Sequence, residues 1–318
     1  MSNQKLFFSA DVHGSEIVWR KWLSVSKMYD VDMVILSGDL TGKAIMPIVE
    51  RKGGIYTCKL FGERKILRSE EEVLEIETIA KNAGYYPVRL TPEELEELKK
   101  NPVKLDRLFV EVIEERMREW LRLLEEKLPP NVEAVVMPGN DDSFSIDPII
   151  KEYDRVIYPL GKSVEVFSKF EMISLDYTNP TPWNTPRECS EKELESKLKE
   201  LTKLISVDWN KVICNFHCPP YNTNIDLAPK LDKNLKPVTS LLGPTVTEHV
   251  GSKAVRKFIQ EFQPLIGLHG HIHEASGFDR IGNTLVLNPG SEYSSGVLNG
   301  FIIEFSEEGI KKWWKVSG

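Results

Sequence analysis

Leu268-His269-Gly270-His271-Ile272-His273 carries three of the six histidines of a 318-residue chain, on alternate positions. The apolar run Phe262-Gln263-Pro264-Leu265-Ile266-Gly267-Leu268 feeds into it and predicts a buried strand. Imidazoles gathered at a strand end suit a metal such as zinc, iron or manganese. Taken alone, a polar loop that happens to be rich in histidine would look the same, so the rest of the chain decides. His13 and His217 answer the cluster from other strand ends, and only His249 lies outside the pattern.

Those other strand ends are regular. Leu6-Phe7-Phe8-Ser9-Ala10 predicts a strand running into Asp11-Val12-His13-Gly14. A helix over 15–28 follows, and Met33-Val34-Ile35-Leu36-Ser37 predicts a second strand, ending on Gly38-Asp39. Two strands separated by a helix, each ending on Asp and Gly, point to a parallel sheet in an α/β fold. Val132 to Met137 ends on Gly139-Asn140-Asp141-Asp142, and Lys211 to Phe216 ends on His217-Cys218. Strands of one sheet present their ends along one edge, where such sheets place their sites. Asp11, His13, Asp39, Asn140, His217, His271 and His273 are therefore expected to converge. Seven nitrogen and oxygen donors exceed the four of a closed structural zinc site. They match two ions sharing a bridging carboxylate, about 3.5–4 Å apart.

Between the second and third of these strands the pattern changes. Residues 48–101 are charge-rich, lack histidine and read as an inserted hairpin-plus-helix cap, with a turn at Gly53-Gly54 and capping boxes at Ser69–Glu72 and Thr91–Glu94. A plain solvated module explains the same stretch. A helix over 103–128 follows, with Leu105, Leu108, Phe109, Val112, Ile113, Met117, Trp120, Leu121 and Leu124 on one apolar face. Further on, the proline-rich loop Tyr177–Pro186 carries Trp183, which could cover a site. Gly38-Asp39-Leu40-Thr41-Gly42-Lys43-Ala44 faintly resembles a phosphate-binding loop. It has one residue too few between its glycines and no Ser or Thr after the lysine, which excludes that reading.

Composition narrows the class. With 41 basic against 48 acidic side chains, net −7, a broad nucleic-acid or anionic-membrane surface is disfavoured, although a local basic groove would escape the count. At 41% apolar the chain can bury a substantial core, and no run is long enough to span a bilayer. Met1 to Lys5 lacks a signal-peptide layout, and the four cysteines lack zinc-finger spacing, so a cytoplasmic protein with reduced thiols is expected. Cys218 beside His217 reads as a small buried filler.

The order Asp-x-His-Gly, Gly-Asp, Gly-Asn-x-Asp, His, Gly-His-x-His resembles the calcineurin-like metallophosphoesterase superfamily. The resemblance runs from Leu6 to about Ser291, apart from the insertion; each motif is weak alone, and all five in order are specific. It implies a single domain over 1–318, a four-layer α/β/β/α sandwich with the 48–101 cap inserted. It implies one ion held by Asp11, His13 and His273, a second by Asn140, His217 and His271, and Asp39 bridging both. Manganese is the first expectation, with iron, zinc, nickel or magnesium as alternatives. A hydroxide between the ions would attack phosphorus in line. Asn140 and Asp141 are the candidate catalytic residues, and Asp142 would orient the Asn140 loop or a ligand imidazole. Asn288-Pro289-Gly290-Ser291 resembles a segment that follows the last histidine motif in small phosphodiesterase members.

One position departs from the pattern. Asp141 stands where the superfamily usually has a histidine that contacts the phosphate or protonates the leaving oxygen. General-acid help contributes about 10²–10⁴-fold, so alkoxide leaving groups should be cleaved slowly. The resemblance then implies a phosphodiesterase with weak phosphomonoesterase activity. A metal-binding interaction scaffold, a nuclease and a protein phosphatase are the competing readings. His269, with no partner motif, is expected to be structural, and His249 an ordinary histidine.

Overall fold

The computed structural model describes residues 4–240, 243 and 245–318. Met1 to Asn3 lie outside the described residues, as do Leu241, Leu242 and Pro244 of the loop that follows the His217 motif.

Two six-stranded sheets carry the chain. The first runs Gly309–Ser317, Asn299–Ser306, Gln4–Ser9, Met33–Ser37, Glu133–Met137, Val156–Ile157. Its last four strands are parallel, and the two C-terminal strands close the other edge antiparallel. The second runs Gly277–Ile281, Thr284–Asn288, Ile266–Leu268, Val212–Phe216, Phe170–Leu175, Val164–Val166. It has four parallel strands between antiparallel edges.

Burial on both faces explains the near-continuous apolar strands. Leu6 and Phe8 point inward and meet Met172, Ile213 and Leu268 of the other sheet. Phe7 points outward, onto helices Glu16–Tyr29 and Pro102–Lys127. There Trp19 stacks between Trp22 and Trp120, with centroids 5.1 and 4.7 Å away. Helices Glu191–Thr202 and Lys253–Phe262 cover the outer face of the second sheet. The result is the expected α/β/β/α sandwich. Among the described residues no helix is long and apolar enough to cross a membrane.

A separate four-stranded sheet, ordered Glu63–Leu67, Ile55–Leu60, Ala44–Arg51, Tyr85–Leu90, has its own core of Met46, Ile48, Leu60, Val73 and Ala80 beneath helix Glu70–Asn82. It begins at Ala44, earlier than the composition change at position 48 suggested, because Ala44 to Pro47 already pair with Tyr85 to Val88.

Several local expectations need correction. Phe262 ends a helix and Gln263 caps it at φ 49°, so the strand before the histidine cluster is only Ile266–Leu268. The apolar face of the long helix is fully buried only from Ile113 onward; Phe109 and Val112 pack against the core partly buried, and Val103 and Leu105 are 70% and 40% exposed. Thr91–Glu94 forms a full capping box, whereas Ser69 accepts from the Glu72 N–H but the Glu72 carboxylate takes the N–H of Arg68.

Candidate metal centre

The motif-bearing strands are not in one sheet. Asp11, His13, Asp39 and Asn140 follow strands of the first sheet, and His217, His271 and His273 follow strands of the second. Both sheets end their parallel strands on the same side, and the seven side chains meet over the seam between them.

The backbone there is held under strain. Asp11, His13, Asp39 and His271 all have positive φ, 59°, 40°, 49° and 67°, a region uncommon for non-glycine residues, though Asp and His enter it more readily than most, and concentrated at functional sites. Loop-to-loop hydrogen bonds enforce it. His13 N–H donates to Asp39 O at 2.8 Å, Gly14 N–H to Leu40 O at 2.8 Å, and Gly270 N–H to His217 O at 3.0 Å. His271 N–H reaches across the seam to both oxygens of Asp11 at 3.1 Å. Gly38 is obligatory, since a Cβ there would lie 2.0 Å from His217 Nδ1.

Two donor groups form. Asp11, His13, Asp39 and His273 are one; Asp39, His217 and His271 are the other, with each group's ligand atoms within 4.8 Å of one another. Asn140 Oδ1 lies 3.1 Å from His217 Nε2 and joins the second group. Asp39 belongs to both. His13 Nε2 and His273 Nε2 face each other at 3.0 Å; His13 Nε2 is 3.5 Å from Asp39 Oδ2, and His217 Nε2 is 3.4 Å from Asp39 Oδ1. A cation bonded at about 2.1 Å sets neighbouring ligands roughly 3.0–3.4 Å apart in octahedral or tetrahedral geometry. The donors therefore fit divalent-ion binding, and their mixed hardness suits first-row metals.

Charge is balanced the same way. Burial alone would raise Asp39, but the neighbouring His217, His13 and His271 hold it well below the usual carboxylate range. Burial would lower His217, yet Asp39 and Asp11 lift it to about 9, and Asp11 also lifts His273. Burial dominates at His13 and His271, which fall to about 3 and about 4. A metal entering at neutral pH must displace the proton that His217 carries.

Neighbouring groups aim the ligands. His217 Nδ1 lies 3.3 Å from Ser37 O, which leaves Nε2 for the site. Asn140 Nδ2 donates to Thr185 Oγ1 at 2.7 Å, turning Oδ1 inward, and Thr185 Oγ1 donates to Glu188 at 2.6 Å. The proline-rich loop thus holds Asn140 through Thr185, while Trp183 stands 62% exposed rather than folded over the site. Asp142 is buried and stitches two motif loops together. It accepts from Gly139 N–H at 2.8 Å, Leu40 N–H at 2.9 Å, Thr41 N–H at 2.9 Å and the Thr41 hydroxyl at 2.7 Å. Ser291 donates from its hydroxyl to Asp11 O at 2.6 Å and from its N–H to His273 O at 3.2 Å, so the Asn288–Ser291 segment clamps the last histidine loop.

Sequence reasoning missed Thr185, Tyr293 and Lys43. The Tyr293 ring lies 4.8 Å from His13 and 6.0 Å from His273, and nothing in its local sequence marks it. Lys43 Nζ lies 3.2 Å from Asp141 Oδ2, and was passed over together with the phosphate-loop resemblance. Cys218 is buried, its thiol pushed up to about 12 by that burial, as a filler would be. His249 contacts Asp226 at 2.7 Å, away from the cluster.

His269 stays out of the donor groups. Its Nδ1 lies 2.8 Å from Phe216 O and 3.0 Å from Cys218 O, and burial lowers it to about 4. The folded state therefore favours neutral His269, and unfolding lets it gain a proton below about 6.5. Its contribution is complete above that pH and is lost as pH falls towards 4, about 3 kcal/mol in all. His269→Asn, which can keep the Nδ1-side donor, should flatten the acid limb of Tm against pH while metal content stays near wild type. Loss of an ion in this variant would make His269 a ligand after all.

No family model matches the chain. An uncharacterised protein of Methanocaldococcus jannaschii is 33% identical over 165 residues, which is 51% of this chain and 66%, just under two thirds, of the relative. Two solved structures share the overall fold at low identity. One has a TM-score of 0.58 at 16% identity, and the protein TT1561 of Thermus thermophilus has 0.52 at 13%, each covering 99% of both chains. Two sheets packed face to face, parallel at their centres and covered by helices, are the fold this chain shares with them.

Proposed function

We propose that the protein is a metal-dependent phosphoesterase that prefers phosphodiesters and cleaves phosphomonoesters weakly. The observation carrying this reading is Asp39, one carboxylate shared by two donor groups that between them gather all seven ligand candidates. Asp11, His13, Asp39 and His273 would hold one divalent ion, and Asp39, Asn140, His217 and His271 the other. Bound there, such ions supply an activated water and absorb charge developing on phosphorus. This reading makes the small sheet that begins at Ala44 a cap beside the substrate.

The chain's own residues set the preference. Asp141 is partly buried, its N–H donating to Asp39 Oδ1 at 3.0 Å and its carboxylate 3.8 Å from His13 Nδ1. Burial and Asp39 raise its pKa, and Lys43 opposes the rise. An anion at this place repels a dianionic monoester more than a monoanionic diester. Like charges about 4 Å apart in water repel by about 1 kcal/mol, or roughly fivefold in rate. Asp141→Asn should therefore raise the monoester-to-diester ratio of kcat/KM by about that factor; an unchanged ratio would remove Asp141 from the catalytic account.

The decisive test is metal analysis of purified protein, joined to a manganese-dependent assay on a chromogenic phosphodiester and its monoester. Faster diester cleavage is expected. Two ions bound with no turnover of either ester would sink the hydrolase reading and favour a binding scaffold.

A further inference from the structure

Lys43 occupies an unusual place for an exposed lysine. Its side chain is 54% exposed, yet its ammonium is 3.2 Å from Asp141 Oδ2, beside the metal cluster. The backbone leading to it is fixed. Thr41 is tied to Asp142 by both its N–H and its hydroxyl, and Gly42 N–H donates to Tyr86 Oη at 2.9 Å. Tyr86 is itself buried. No side chain could replace Gly42, because a Cβ would meet the Gly84 carbonyl at 2.0 Å. Lys43 therefore starts from a rigid point at the rim of the site.

Its surroundings locate the charge. The ammonium is close enough for its field to bear on His13, His273 and Tyr293, and Asp39 helps to hold it protonated. An ammonium has three donors and acts on phosphate as a point charge. Asp141 accounts for one of them. The remaining donors are free for an anion lying over the donor groups.

We infer that Lys43 anchors the substrate, its ammonium binding a non-bridging oxygen of the phosphoryl group while Asp141 holds it from the far side. The inference rests on the phosphoesterase reading above and names what stands in for the missing histidine: a cation that binds phosphate but, being a lysine held protonated, gives little help to the leaving oxygen. Charge complementarity follows. The Lys43–Asp141 pair is neutral overall, so the rim accepts a monoanionic diester without the excess positive charge that would favour a dianion.

The test uses full-length, manganese-loaded protein and inorganic phosphate as probe, measured by calorimetric titration, with kinetics on both esters. Lys43→Met should weaken phosphate binding by roughly tenfold to a hundredfold, the range of a charge-assisted hydrogen bond, with metal content unchanged. Lys43→Arg should recover part of the loss, because it restores the charge but not the compact ammonium. The monoester-to-diester ratio should fall in Lys43→Met, rise in Asp141→Asn, and return towards wild type in the double variant. A purely structural lysine would not move these ratios in opposite directions. Unchanged phosphate affinity and an unchanged ratio in Lys43→Met would overturn the inference. Wild type that binds phosphate through Lys43 but hydrolyses neither ester would overturn the hydrolase reading alone; wild type that cleaves the diester but binds no phosphate would overturn the Lys43 inference alone.

Discussion

Asp39→Asn should cost the protein both ions, where His271→Ala or His273→Ala should each cost about one. The difference comes from position. Asp39 Oδ2 faces His13 in one donor group, and Asp39 Oδ1 faces His217 in the other. The amide keeps the shape and can keep the bond from the Asp141 N–H, now 3.0 Å long, so the loop should survive. What would disappear, on the proposed function, is a negative charge shared between two cations. Losing several kcal/mol of that attraction should lower turnover by about 10³-fold or more. Elemental analysis after gel filtration reads the metal directly, without reliance on activity. A variant that retained one full ion would show that the two positions do not share this carboxylate.

Asp142→Ala should be the most damaging change that touches no ligand. The carboxylate accepts three backbone N–H bonds and one hydroxyl bond, wholly inside the protein. Removing it strands those donors away from water, at about 1–3 kcal/mol for each group left unsatisfied. Even with partial relaxation a loss of about 3–5 kcal/mol is expected, comparable to breaking a buried charged network. Thermal denaturation should show a Tm lowered by roughly 4–8 °C for a chain of this size. Because the Leu40 and Gly139 N–H groups it holds adjoin Asp39 and Asn140, ion affinity should also weaken. A Tm within a degree or two of wild type would mean that water replaces the carboxylate.

The legible part of this molecule was the part written in local chemistry. Asp11, Asp39, Asn140, His217 and His271 each stand directly behind an apolar strand, so both the strands and the candidate donors could be located from residue order. The split of those strands between two sheets could not, because parallel pairing is a long-range choice. Nothing local distinguishes Val212–Phe216, in the second sheet, from Met33–Ser37, in the first. Thr185 and Tyr293 were invisible for a related reason: each reaches the site from a loop placed there by the fold. The long helix misled in the opposite way. Its apolar periodicity extends back through Leu105, but its burial does not.

The seam between the sheets has a consequence for how the protein would respond to its ions. Four donors belong to one sheet and three to the other, so occupancy would tie the halves together, and whatever favours their closure must favour occupancy equally. Remote packing and ion affinity become linked quantities. Trimming Phe8 or Met172, apolar side chains between the sheets, would then register as looser ion binding, although neither side chain is a candidate donor. Conversely, a saturating metal should resist thermal separation of the halves in proportion to RT ln(1 + [M]/Kd). The ion pair would be a rivet as well as a reagent.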